Sequence, residues 1–147
     1  MATSKWEAAQ TAENALTTEL NSLANGSRAI SGTAVSNDTE KDFYASIELY
    51  LATQGSARSS GAYVALYIVY SHDGSNFSIG DASVAPSIHS HIANVDLDAA
   101  TTARYVVIPQ VLLAPLDFKI VVENRTGQAL ASSGNTVKIR RYNVEGT

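Results

Sequence analysis

The chain has 147 residues, 45% of them hydrophobic and only 16% charged, with a formal net charge of −4. That length buries a real core in one domain, and the composition excludes a disordered chain. Zero cysteines exclude disulfides and thiolate metal sites, and the acidic balance, with Lys138, Arg140 and Arg141 as the one basic cluster, argues against a nucleic-acid partner.

A surface built from Ser, Thr, Asn, Gln and Gly suits a protein covered by other chains. No run has the apolar length of a membrane span, so no membrane partner is expected. Met1 to Trp6 leads into polar residues, which does not read as a secretory signal. A cytosolic site of synthesis fits the absence of cysteine.

Residues 1–27 form the first unit. Trp6, Ala9, Leu16, Leu20 and Leu23 recur near a three-four spacing, the pattern of an amphipathic helix. Glu13 interrupts the stripe, and Thr, Asn and Ser lower helix propensity. The equal alternative is an extended arm that orders on a neighbour.

Residues 28–147 read as an all-β domain. Arg28–Ser36 is the first strand candidate, and 37–41 is a polar turn. Phe43–Thr53 alternates, with Phe43, Ala45, Ile47, Leu49 and Leu51 toward a core and Tyr44, Ser46, Glu48 and Tyr50 away from it. Residues 54–61 read as a flexible loop. Ala62–Tyr70 is apolar or tyrosyl on both faces and so belongs in the middle of a packed sheet. Asp73-Gly74 then signals a tight turn with positive φ, with Phe77–Ile79 as a short return strand.

Ile92–Leu97 is the next strand. Tyr105–Leu113 is apolar but holds Pro109, which forbids one ladder bond and makes it an edge strand or two short pieces. Phe118–Asn124 points Phe118, Ile120 and Val122 inward, and Thr136–Asn143 sets Val137 and Ile139 against Lys138, Arg140 and Tyr142. Roughly eight strands with turns between them predict an antiparallel β-sandwich. A jelly roll is the first topology and an immunoglobulin-like sandwich the second.

Chemistry-bearing groups are sparse. His89 and His91, two apart on a strand, would share a face, and Asp96 follows in a cupin-like spacing. No histidine follows His91, so a third ligand is lacking. Asp73, Ser75, Asn76 and Asp81 read as turn formers, since the order and closing Glu of a calcium loop are absent. Glu48, Asp96, Asp98, Asp117 and Glu123 show no pairing for acid–base work and read as solvated. There is no nucleophile elbow and no phosphate-binding glycine motif. No enzyme, cofactor or metal is therefore expected. Tyr44 and Tyr50 share one strand face, and Tyr63 and Tyr67 another; such rows serve as a packed second face or as an interface.

Four stretches carry a likeness. Ser36-Asn37-Asp38-Thr39, the tyrosine-rich strand ending in Ser71-His72-Asp73-Gly74-Ser75-Asn76-Phe77, Val122 to Leu130, and Gly134 to Tyr142 together span most of residues 28–143. In this order they resemble small structural proteins of tailed bacteriophage virions. The resemblance implies a β-sandwich decoration or cement protein, made in the host cytoplasm and seated on the virion head. Its partners would be the major capsid protein and further copies of itself, as a homotrimer. Binding only the expanded lattice would stabilise the shell by mass action, and a trimer would add avidity.

The interface candidates are then Trp6, Leu16, Leu20, Leu23, Tyr44, Tyr50, Tyr63 and Tyr67. The alternative reading is a tail-fibre or spike module that stacks carbohydrate on Tyr44, Tyr50, Tyr63 or Tyr67.

Overall fold

A computed structural model of the chain describes residues 3–8 and 10–146. Among the described residues there are ten strands: β1 (Ser4–Trp6), β2 (Glu13–Leu16), β3 (Arg28–Ile30), β4 (Tyr44–Leu51), β5 (Tyr63–Ser71), β6 (His91–Asp96), β7 (Arg104–Leu112), β8 (Asp117–Arg125), β9 (Thr136–Tyr142) and β10 (Val144–Gly146). They pair as a nest of antiparallel partners: β1 with β10, β2 with β9, β3 with β8, β4 with β7, β5 with β6.

The chain is thus one long antiparallel ribbon doubled back at residues 72–90. Rolling that ribbon brings β4 onto β9 and β5 onto β8. The result is two four-stranded sheets, β2-β9-β4-β7 and β3-β8-β5-β6, with β1-β10 as a separate two-stranded extension. This winding is a jelly roll.

Alternation along the strands builds the core. In β4, Ala45, Ile47, Leu49 and Leu51 are all at most 1% exposed; with Val137 and Ile139 of β9 in the same sheet, they join one core cluster with Val64, Leu66, Ile120 and Val122 of the other sheet. Phe43 departs from this row and is 61% exposed. It precedes β4, where the backbone turns to give its amide to Asn143 Oδ1 and its carbonyl to the Leu113 amide, so the strand's alternation does not extend to it.

The N-terminal helix is not formed. Residues 13–16 add to the edge of the β9 sheet instead, and Thr18–Leu20 is one short 3-10 turn. Leu16 and Leu20 are 1% and 0% exposed and Leu23 packs against the core. The sandwich therefore begins before residue 28. A strand with a bulge between Asn14 and Leu16, followed by a tight turn, inserts the same leucines that a helical stripe would.

Both faces of β5 are covered, as its composition requires. Val64, Leu66 and Ile68 enter the core, while Ala65 and Val69 are 2% and 0% exposed on the outer side. The 72–90 connection lies over that side. Asp81 and Ser83 carbonyls accept from Arg28, and Lys119 Nζ sits 4.9 Å from the Phe77 ring centroid. Gly74 has φ +71° as the turn demands, and the Asp73 carboxylate caps it by accepting from the amides of Ser75 and Asn76. The expected return strand reduces to a single bridge between Ser71 and Phe77.

The 54–61 loop, read as flexible, is pinned. Arg58 is 2% exposed and donates to Gln54 Oε1, Asp98 Oδ1 and the carbonyls of Asp98 and Thr102. Three buried asparagines, Asn37, Asn124 and Asn135, close further loops through side-chain bonds to backbone.

Candidate binding face

The two outer sheet faces differ. On the β3-β8-β5-β6 sheet the outward Ala65 and Val69 of β5 and Val121 and Glu123 of β8 are buried, with the 72–90 connection on that side, while His91, Asn94 and Asp96 of β6 are exposed. On the β2-β9-β4-β7 sheet they lie open: Tyr105, Val107 and Leu112 of β7 are 62%, 45% and 72% exposed. β7 is also the sheet's edge, paired only with β4, which is where Pro109 is tolerated.

Alternation places Tyr44, Ser46, Glu48 and Tyr50 on this outer face, beside Lys138, Arg140 and Tyr142 of β9. Glu48 stands opposite Lys138 in register and accepts from the Tyr105 hydroxyl at 3.1 Å. That bond to a carboxylate raises the Tyr105 pKa, so its proton stays in place as a donor.

At one end the face carries an aromatic cluster. Tyr44 and Tyr142 are cross-strand partners whose rings stack at 5.6 Å. Trp6, delivered by the β1-β10 extension, meets Tyr142 edge-on at 5.4 Å and Tyr44 at 6.5 Å. A two-stranded ribbon is marginal alone, so these contacts are what dock it on the sandwich. The Tyr142 hydroxyl reaches across β4 and donates to the Pro109 carbonyl at 2.9 Å. Trp6, Glu7, Pro109, Gln110 and Tyr142 line a shallow groove of about 430 Å³, and Trp6 remains 63% exposed.

The eight candidate residues thus separate. Trp6, Tyr44 and Tyr50 share the open face. Tyr63 and Tyr67 lie half-buried on the other sheet, where Tyr67 meets the His91 ring at 5.3 Å and burial raises its pKa. Leu16 and Leu20 are core residues, too buried to meet a partner, and Leu23 is partly buried against the same core. Sequence reasoning set Tyr142 opposite the core residues of its strand without counting it as an interface group, and it missed Tyr105, Val107 and Leu112 as surface groups. Period-two alternation in β9 and β7 was the available signal.

His89 sits in a 3-10 turn and His91 opens β6, so they do not share a strand face. His91 Nε2 bonds Asn94 Oδ1 at 2.9 Å. Among the described residues, no group of three or more His, Asp or Glu side chains converges as a metal site would need. Glu123 corrects its solvated reading: it is 5% exposed and paired with Arg28 and Arg125. No protein-family model matches the chain, and no curated protein matches it.

Proposed function

We propose that this chain is a non-catalytic structural protein of a tailed-phage particle, a head decoration protein that grips the major capsid protein through the bare face of the β2-β9-β4-β7 sheet. One observation carries the reading. The molecule buries the outer side of β5 and β8 in one sheet and leaves the outer side of the other sheet open, with large apolar side chains along an edge strand. Open apolar patches on a soluble domain mark interaction sites. The resemblance of residues 28–143 to virion proteins supports the major capsid protein as the partner. Attachment as a homotrimer multiplies weak contacts, and preference for the expanded shell stabilises it by linkage.

Co-sedimentation with expanded and unexpanded empty heads of the encoding phage tests this. The wild-type chain is expected to pellet with expanded heads only. Val107→Glu and Tyr105→Glu, both at exposed positions, should fold normally and lose at least tenfold in affinity. Equal binding by these variants, or none by the wild type, overturns the proposal.

A further inference from the structure

We infer that the groove between Trp6, Tyr142 and Pro109 binds a neutral pyranose unit. The argument starts from shape. A volume of about 430 Å³ falls within the roughly 300–1,000 Å³ of small-ligand sites. Its walls are two aromatic rings and a proline, and its polar lining is one carboxylate, Glu7, and one amide, Gln110. A pyranose ring has a C–H face that packs on an indole and hydroxyls that need a carboxylate or amide at the margin.

The platform is braced. Trp6 is braced edge-on by Tyr142 and Tyr44, and Tyr142 is itself fixed by its bond to Pro109. A ring held in place loses little freedom on binding. The polar groups are available, for neither the Glu7 carboxylate nor the Gln110 amide has a hydrogen-bond partner among the described residues.

Charge selects the ligand further. The neighbouring cation, Lys5, is paired with Glu145 at 3.5 Å. Glu7 therefore sets a negative rim, which repels sialic acids and uronates. A purely apolar peptide would strip water from Glu7 and Gln110 without replacing it.

The inference does not rest on capsid binding, and its test is separable from it. Trp6 is the sole tryptophan, so its emission reports the groove directly. The full chain would be applied to a glycan array. It would then be titrated with neutral oligosaccharides of glucose, galactose, mannose, rhamnose and N-acetylglucosamine, and with sialylated and uronate oligosaccharides.

A saturable change with at least one neutral saccharide is expected, with Kd on the order of a few millimolar for one stacked ring. By calorimetry or saturation-transfer NMR, Trp6→Ala should weaken binding at least tenfold and Gln110→Ala severalfold, while Val107→Glu leaves it unchanged. Unaltered melting of Gln110→Ala and Val107→Glu, and a loss in Trp6→Ala less than half that of Leu16→Ala, show that the fold is intact. No saturable binding to any neutral saccharide, binding confined to acidic ones, or undiminished binding by Trp6→Ala overturns the inference.

Discussion

Arg58 and Asp98 join two loops that are forty residues apart in sequence. Arg58 Nη2 donates to Asp98 Oδ1 at 2.9 Å and Nε to the Asp98 carbonyl at 3.0 Å. Arg104 grips the other side of the same carboxylate. A guanidinium with no exposed side-chain surface is thereby satisfied by a carboxylate, an amide oxygen and two carbonyls.

Arg58→Ala should cost about 2–4 kcal/mol, because it empties a packed site and leaves the buried Gln54 Oε1 and the carbonyls of Asp98 and Thr102 without their donor. Arg58→Lys should recover only part of this, since an ammonium cannot reproduce the planar fork. Urea denaturation of the three proteins measures both. A loss under about 0.5 kcal/mol for Arg58→Ala, the size of an ordinary surface change, would show that the loops are held by other contacts.

The same pair predicts an acid limb. Hydrogen bonds from Arg104 first, then from Arg58, push the Asp98 pKa down to about 2. The unfolded value is near 3.9. A depressed carboxylate stabilises fully above its unfolded pKa and loses that contribution as pH falls through the folded value. Stability should therefore decline between about pH 4 and pH 2. Asp73 acts in the same sense, held well below the carboxylate range by the Asn76 and Ser75 amides. Asp98→Asn should flatten the decline in denaturant midpoints measured from pH 7 to pH 2. An unchanged slope would rule out Asp98 as a source.

Some of this was legible in the sequence and some could not have been. β4 announced itself because one face is buried at every second residue, and β5 because both faces are. Pro109 marked β7 as an edge. The N-terminus misled because Trp6, Leu16, Leu20 and Leu23 meet helical spacing, yet a β-bulge and a 3-10 turn insert those leucines equally well. Arg58 gave no local sign. Its partners Asp98 and Thr102 lie forty or more residues away, and a loop of Gly, Ser and Ala looks mobile until such a partner is known. The open face was half visible: alternation gives the outward rows, but only the fold reveals that the outer side of β5 and β8 is buried and that of the other sheet is open.

Gly127 and Gly61 allow a matched comparison. Both have positive φ, +81° and +73°. A Cβ on Gly127 would run into Ser59 Oγ and lie 2.7 Å from Ser59 Cβ, whereas on Gly61 it would meet open space. Gly61→Ala should cost only the left-handed backbone penalty, about 1–2 kcal/mol. Gly127→Ala adds a clash and should cost about 2–5 kcal/mol. Thermal melts of the two variants give the order directly. Equal losses would mean that Ser59 swings clear without cost.

Leu16 and Trp6 separate core from extension within the N-terminal segment. Leu16 is 1% exposed in the sheet edge and Trp6 is 63% exposed on the β1-β10 ribbon. Leu16→Ala should cost about 3 kcal/mol through lost burial and a residual cavity. Trp6→Ala removes two edge-on aromatic contacts, about 0.5–1.5 kcal/mol each, from a ring already largely in water. Its denaturant midpoint should fall less than half as far. If Leu16→Ala left the midpoint in place, β2 would be a detachable arm rather than part of the sandwich. If Trp6→Ala matched it, the ribbon would share the folding cooperativity of the core, and a loss of saccharide binding in that variant would no longer isolate the groove.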